Sequence, residues 1–69
     1  MTKQEAIQAM KDGKKVTHIH FLKNEWVKSD KSGFFYEFED GVKCDSSFFW
    51  MDRKQESWNV DWSLYNSSN

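Results

Sequence analysis

The apolar side chains of this sequence are mostly rings. Twelve aromatics (six Phe, four Trp, two Tyr) stand beside eight branched aliphatics: Ile7, Val16, Ile19, Leu22, Val27, Val42, Val60 and Leu64. Rings bury large areas with little rotamer entropy to lose, so a short chain can close a core with few of them. In 69 residues there is room for one such core and no second domain. The sequence predicts one compact domain over residues 1–65 and a polar tail over 66–69. Twelve rings are more than a core of that size can hide. Several should reach the surface, where Trp and Tyr also anchor protein interfaces.

Other classes are excluded by simple features. No apolar run approaches the ~18 residues of a membrane span, and no charged-then-apolar start reads as a signal peptide. A single cysteine, Cys44, cannot close an internal disulfide. The net charge of −1 hides an asymmetry: residues 1–31 carry seven lysines against four acids, and residues 32–69 carry three cations against seven acids. Folding that interleaves the halves cancels this, and that is the expectation here.

Local signals give an α+β chain. Thr2 and Glu5 form a capping box, Ala6, Ile7, Ala9 and Met10 make a narrow apolar face, and Gly13 is the stop. Strands are expected at 15–19, 25–28, 34–38, 42–44 and 62–65, with residues 20–24 a connection that tucks Phe21 inward. Residues 29–33 are a turn cluster, and Asp40-Gly41 signals a tight hairpin with positive φ at the turn. Asp45, Ser46 or Ser47 caps a short helix or turn carrying Phe48, Phe49, Trp50 and Met51. The sum is an N-terminal helix, a small, mostly antiparallel sheet of four to five strands, a short helix and a closing strand. No proline blunts the sheet edges, which favours pairing with a second copy or a target protein.

Most candidate chemistry has a plainer explanation. His18 and His20 would share a strand face and could join Cys44 or Asp45 at zinc, but two hydrogen-bonded or solvated histidines explain the pair better. Cys44 with a histidine lacks any oxyanion-hole sequence and reads as a small core residue. Glu37/Glu39 and Asp40/Asp45 are acid pairs by proximity alone. Gly13, Gly33 and Gly41 each serve a turn rather than a phosphate loop, and Lys14-Lys15 suits a helix C-terminus. Phe34, Tyr36 and Phe38 alternate as a stacking platform would, yet Glu37, Glu39 and Asp40 beside them disfavour nucleic acid. No enzyme activity, cofactor or metal is expected.

The densest feature runs from Phe48 to Tyr65 and combines Trp, Tyr and Arg53 with acids, the composition of an interface hot spot and also of a structural lock. Trp58, Trp62 and Arg53 are the leading candidate anchors for a protein partner, with Trp26 and Tyr36 beside them.

Two segments carry a resemblance. The opening TKQEAIQAMKDGKKVTH is similar to the start of many small phage and prophage proteins, and the closing SWNVDWSLY to their ends. One group with this outline is the phage anti-Thoeris proteins, which sequester a cyclic ADP-ribose-type signal. The central FFYEFEDGVKCDSSFFW departs from that group, so no ligand-binding residue is carried over. The resemblance implies a small phage accessory protein in the host cytoplasm. Its expected action is stoichiometric binding to a host protein, as a counter-defence inhibitor of the anti-CRISPR kind. The alternative is a sponge for a cyclic nucleotide signal, with its pocket between copies.

Overall fold

The computed structural model describes residues 1–66; most of the tail expected at 66–69 lies outside them. Helix α1 (Lys3–Lys11) begins where the sequence places it, with Thr2 Oγ1 accepting from the Glu5 N–H at 3.2 Å and Glu5 Oε1 from the Thr2 N–H at 2.8 Å. It ends at Gly13, whose φ of +86° is open to glycine without a side-chain penalty. There the Gly13 N–H reaches the Met10 carbonyl (3.0 Å) and the Lys14 N–H the Ala9 carbonyl (3.0 Å), the two bonds of a Schellman stop.

Five short strands follow: β1 (Val16–His18), β2 (Val27–Ser29), β3 (Phe35–Phe38), β4 (Lys43–Asp45) and β5 (Trp62–Leu64). They form one antiparallel sheet in the order β4-β3-β2-β1-β5, so the chain is α+β as expected. Helix α2 (Ser46–Met51) leaves β4 directly, capped by the Asp45 carboxylate on the Ser47 N–H at 2.8 Å, and a 3₁₀ turn (Glu56–Trp58) precedes β5.

Two local expectations are corrected. The β2 strand starts at Val27 rather than Glu25, so Trp26 precedes it. The β3–β4 hairpin is not closed by a two-residue turn. The Gly41 N–H bonds to the Phe38 carbonyl and the Phe38 N–H to that of Val42 (2.9 Å each), a three-residue loop in which Gly41 alone takes positive φ. A type I turn with glycine in the left-handed position fits the strand twist without asking Asp40 to adopt it.

Register decides which side chains meet. Val16 lies opposite Val27, His18 opposite Trp62, Ser29 opposite Tyr36, and Tyr36 opposite Cys44. Because strand side chains alternate, these residues share one face. Both helices pack on that face: Ala6 and Met10 from α1 and Phe49 from α2 complete a single core with Val16, Val27, Tyr36 and Trp62. Phe21 packs against it, edge-on to Trp62 at 5.6 Å, as the connection was expected to place it. The surplus of rings also appears, with Phe34, Phe35 and Phe48 exposed.

Candidate binding surface

The other face of the sheet carries Lys15, Thr17, Lys28, Phe35, Glu37, Lys43, Asp45 and Ser63 by the same alternation, and no described element covers it. Trp26 precedes Val27 and belongs to this bare face. Lys15 Nζ sits 4.3 Å from the centre of its ring and Lys28 Nζ 5.9 Å, with the Tyr65 ring 6.4 Å away. A cation over an indole face is held by the ring quadrupole. Lys28 also pairs with Glu37 at 3.7 Å, the one ion pair among the described residues. Across the strands the row reads Tyr65, Lys15, Lys28, Glu37, Lys43: three lysines against one acid, and that acid is paired. Lysines from both halves of the chain meet here, so the interleaving leaves this row basic.

A hollow lies at each end of the face. One, of about 510 Å³, is lined by Met1, Thr17, Ile19, Leu22 and Lys23 among others. The second, of about 460 Å³, is lined by Lys28, Lys31, Phe35, Glu37 and Lys43 among others. Both are grooves open to solvent rather than enclosed cavities.

The residues expected to anchor a partner are divided between core and surface. Trp62 is 2% exposed and Tyr36 4%, so both expectations are corrected: each ring is spent on the core. Trp62 Nε1 donates to the Trp58 carbonyl at 2.8 Å, and Trp50 Nε1 to the Tyr36 hydroxyl at 2.9 Å, which satisfies their polar ends inside. Trp58 is half-buried against the His18 ring at 4.3 Å. The Arg53 guanidinium lies 4.0 Å from the Phe49 ring centre and 5.2 Å from that of Trp58, and donates to the Phe49 carbonyl at 3.1 Å. Its Nε is buried with no acceptor. Arg53 and Trp58 thus fasten the segment after α2 onto the core. Among the five, Trp26 alone stands on the uncovered face.

His18 is the residue the sequence undervalued. It is 3% exposed, with Nε2 2.8 Å from both the Ser57 and Val60 carbonyl oxygens, while Nδ1 accepts from the His20 N–H at 3.1 Å. That network assigns the proton to Nε2 and leaves neither nitrogen for a metal or a nucleophile. Its position between β-branched residues on a strand was the available signal. Burial pushes the Cys44 thiol up, against the opposing pull of Arg53, which favours the protonated, unreactive form. Among the described residues, no group of three or more His, Cys, Asp or Glu could hold a metal ion, and no helix is long and apolar enough to cross a membrane. Compared with protein-family models, curated proteins and solved structures, the chain matches none of them.

Proposed function

We propose that this chain is a small, non-enzymatic phage accessory protein that binds a host protein stoichiometrically as a counter-defence inhibitor, docking its bare sheet face on an acidic surface. The observation that carries the reading is the uncovered five-stranded face centred on Trp26, with Lys15 and Lys28 over the ring. A Trp flanked by cations offers a large apolar contact with a charged border, the layout of an interface hot spot. Commitment of both His18 nitrogens to backbone groups, and of Cys44 to its protonated form, supports binding over catalysis. The phage setting rests on the resemblance at the two ends of the chain.

The test is an affinity pull-down from host lysate with mass-spectrometric identification, followed by titration of the captured protein. Trp26→Ala should weaken that complex by about 2 kcal/mol or more. Lys15→Glu should slow association and reduce its salt dependence. Wild-type affinity in both variants would remove the bare face from consideration. A second reading, sequestration of a cyclic nucleotide signal, is favoured by the two hollows beside the lysines, each of which a second copy could close. Calorimetric titration with cyclic nucleotides separates the two readings.

A further inference from the structure

The two edges of the sheet are treated differently. On β5, the Trp62 N–H donates to the Met1 carbonyl (3.1 Å) and the Trp62 carbonyl accepts from the Met1 nitrogen, so Met1 covers part of that edge. Nothing among the described residues pairs with the outer edge of β4. The ends of the β3–β4 ladder fix which groups point outward there. The Phe38 N–H bonds to the Val42 carbonyl (2.9 Å) and the Ser46 N–H to the Phe34 carbonyl (2.8 Å), with Tyr36 opposite Cys44. Val42, Cys44 and Ser46 therefore turn their backbone groups toward β3. Lys43 turns its N–H and carbonyl away from the sheet and Asp45 its N–H, the Asp45 carbonyl opening the first turn of α2.

We propose that β4 pairs with β4 of a second copy of this chain, antiparallel and centred on Cys44, joining the two sheets into one of ten strands. Three observations point to this occupant. First, the outward groups lie symmetrically about Cys44, so a two-fold axis there sets the Lys43 carbonyl of each copy opposite the Asp45 N–H of the other, while each Asp45 carbonyl serves the first turn of its own α2. Second, the side chains are self-complementary in that register. Each Lys43 faces an Asp45, and hydrogen bonds from Ser47 keep the Asp45 carboxylate below its usual range and hence charged. Third, the exposed apolar side chains gather at this edge. Of ten large exposed hydrophobics among the described residues, Phe34, Phe35, Val42, Phe48 and Met51 flank β4 or lie on the α2 helix that leaves it. A three-residue strand supplies too few hydrogen bonds to hold a dimer alone, and these side chains supply apolar area. Pairing would also set the two basic rows side by side. The inference stands independently of the docking reading above.

Sedimentation velocity on the full chain tests it, with far-UV circular dichroism and a thermal melt as controls. The wild type should sediment as a dimer in concentration-dependent equilibrium with the 8.3 kDa monomer. Lys43→Glu places like charges at both cross-strand positions and should weaken dimerisation about tenfold or more while leaving the melt near wild type. Asp45→Lys alone should behave likewise. Mixed in equal amounts, the two variants face opposite charges at both positions and should recover the dimer. If the melt shows that Asp45→Lys has lost α2, Asp45→Asn keeps the capping oxygen and replaces it in the mixture, where partial recovery is expected. A wild type that stays monomeric at every concentration overturns the proposal. So does a Lys43→Glu homodimer as tight as wild type, or a mixture that remains monomeric.

Discussion

Trp62 and Trp26 are the same residue type put to opposite uses, and truncation separates them. Trp62→Ala empties the middle of the core and should cost about 3–5 kcal/mol, enough to unfold so small a domain; urea denaturation reads it directly. Trp26→Ala removes a ring whose neighbours are Lys15, Lys28 and Tyr65, and should shift the urea midpoint by less than a third of that amount. The sequence offers no way to rank them, since both sit beside strand-forming residues. Burial was decided by alternation, because Trp62 shares the parity of His18's partner position and Trp26 the parity opposite Val27. His18 makes a related point. Its imidazole ties β1 to the carbonyls of Ser57 and Val60, so His18→Ala removes a buried ring and the one donor those carbonyls share, and should destabilise by about 2–4 kcal/mol. Nitrogen-15 chemical shifts of the ring should report the Nε2–H tautomer. A ring protonated at Nδ1 instead would contradict the network.

The helix boundaries are the most local features of this chain and the most legible. A capping box and a glycine stop act over a few residues, so Thr2, Glu5 and Gly13 could be assigned before any tertiary contact was known. Thr2→Ala should cost about 0.5–2 kcal/mol and Gly13→Ala about 1 kcal/mol, read as shifts in the urea midpoint. Nothing lies within 4 Å of a Cβ built on Gly13, so the second cost is purely one of φ. Asp61 is a harder case. It is the one non-glycine among the described residues with positive φ (+68°), it immediately precedes β5, and its carbonyl accepts from the Ile19 N–H at 3.3 Å. Aspartate tolerates this region better than most side chains. Asp61→Val should cost about 1–2 kcal/mol, whereas Asp61→Gly should be near neutral. The same contrast explains the hairpin. Asp40-Gly41 was correctly read as a turn, but its length was set by how β3 and β4 must twist together, which two residues do not encode.

For the molecule as a whole, stability should fall at both ends of the pH scale. Hydrogen bonds from the Thr2 backbone hold the Glu5 carboxyl below its usual range, and those from Ser32 and Ser47 do the same for Asp30 and Asp45. Depressed carboxyls stabilise the fold fully above their unfolded values, near pH 4–5, and lose that contribution as pH falls through the folded values. At the other end, burial raises the Tyr36 hydroxyl and the Cys44 thiol. Raised acids of this kind stabilise fully below their unfolded values, so melts should weaken above about pH 8.5 for the thiol and about pH 10 for the phenol. The triple variant Glu5→Gln/Asp30→Asn/Asp45→Asn should flatten the acid limb and leave the alkaline limb in place, as thermal melts across pH would show. What the sequence by itself determined was local: the caps, the turns, the strand-forming segments and an aromatic core in an α+β chain. Those properties depend on neighbours a few positions away, and a propensity or a hydrogen bond of that reach is written in consecutive residues. The tertiary structure alone decided which rings became core, that both helices share one side, and that Lys15, Lys28 and Lys43 meet in a row across the other. A strand presents its side chains to opposite faces in turn, and only packing of α1 and α2 onto one face distinguishes the inside from the surface left free to bind.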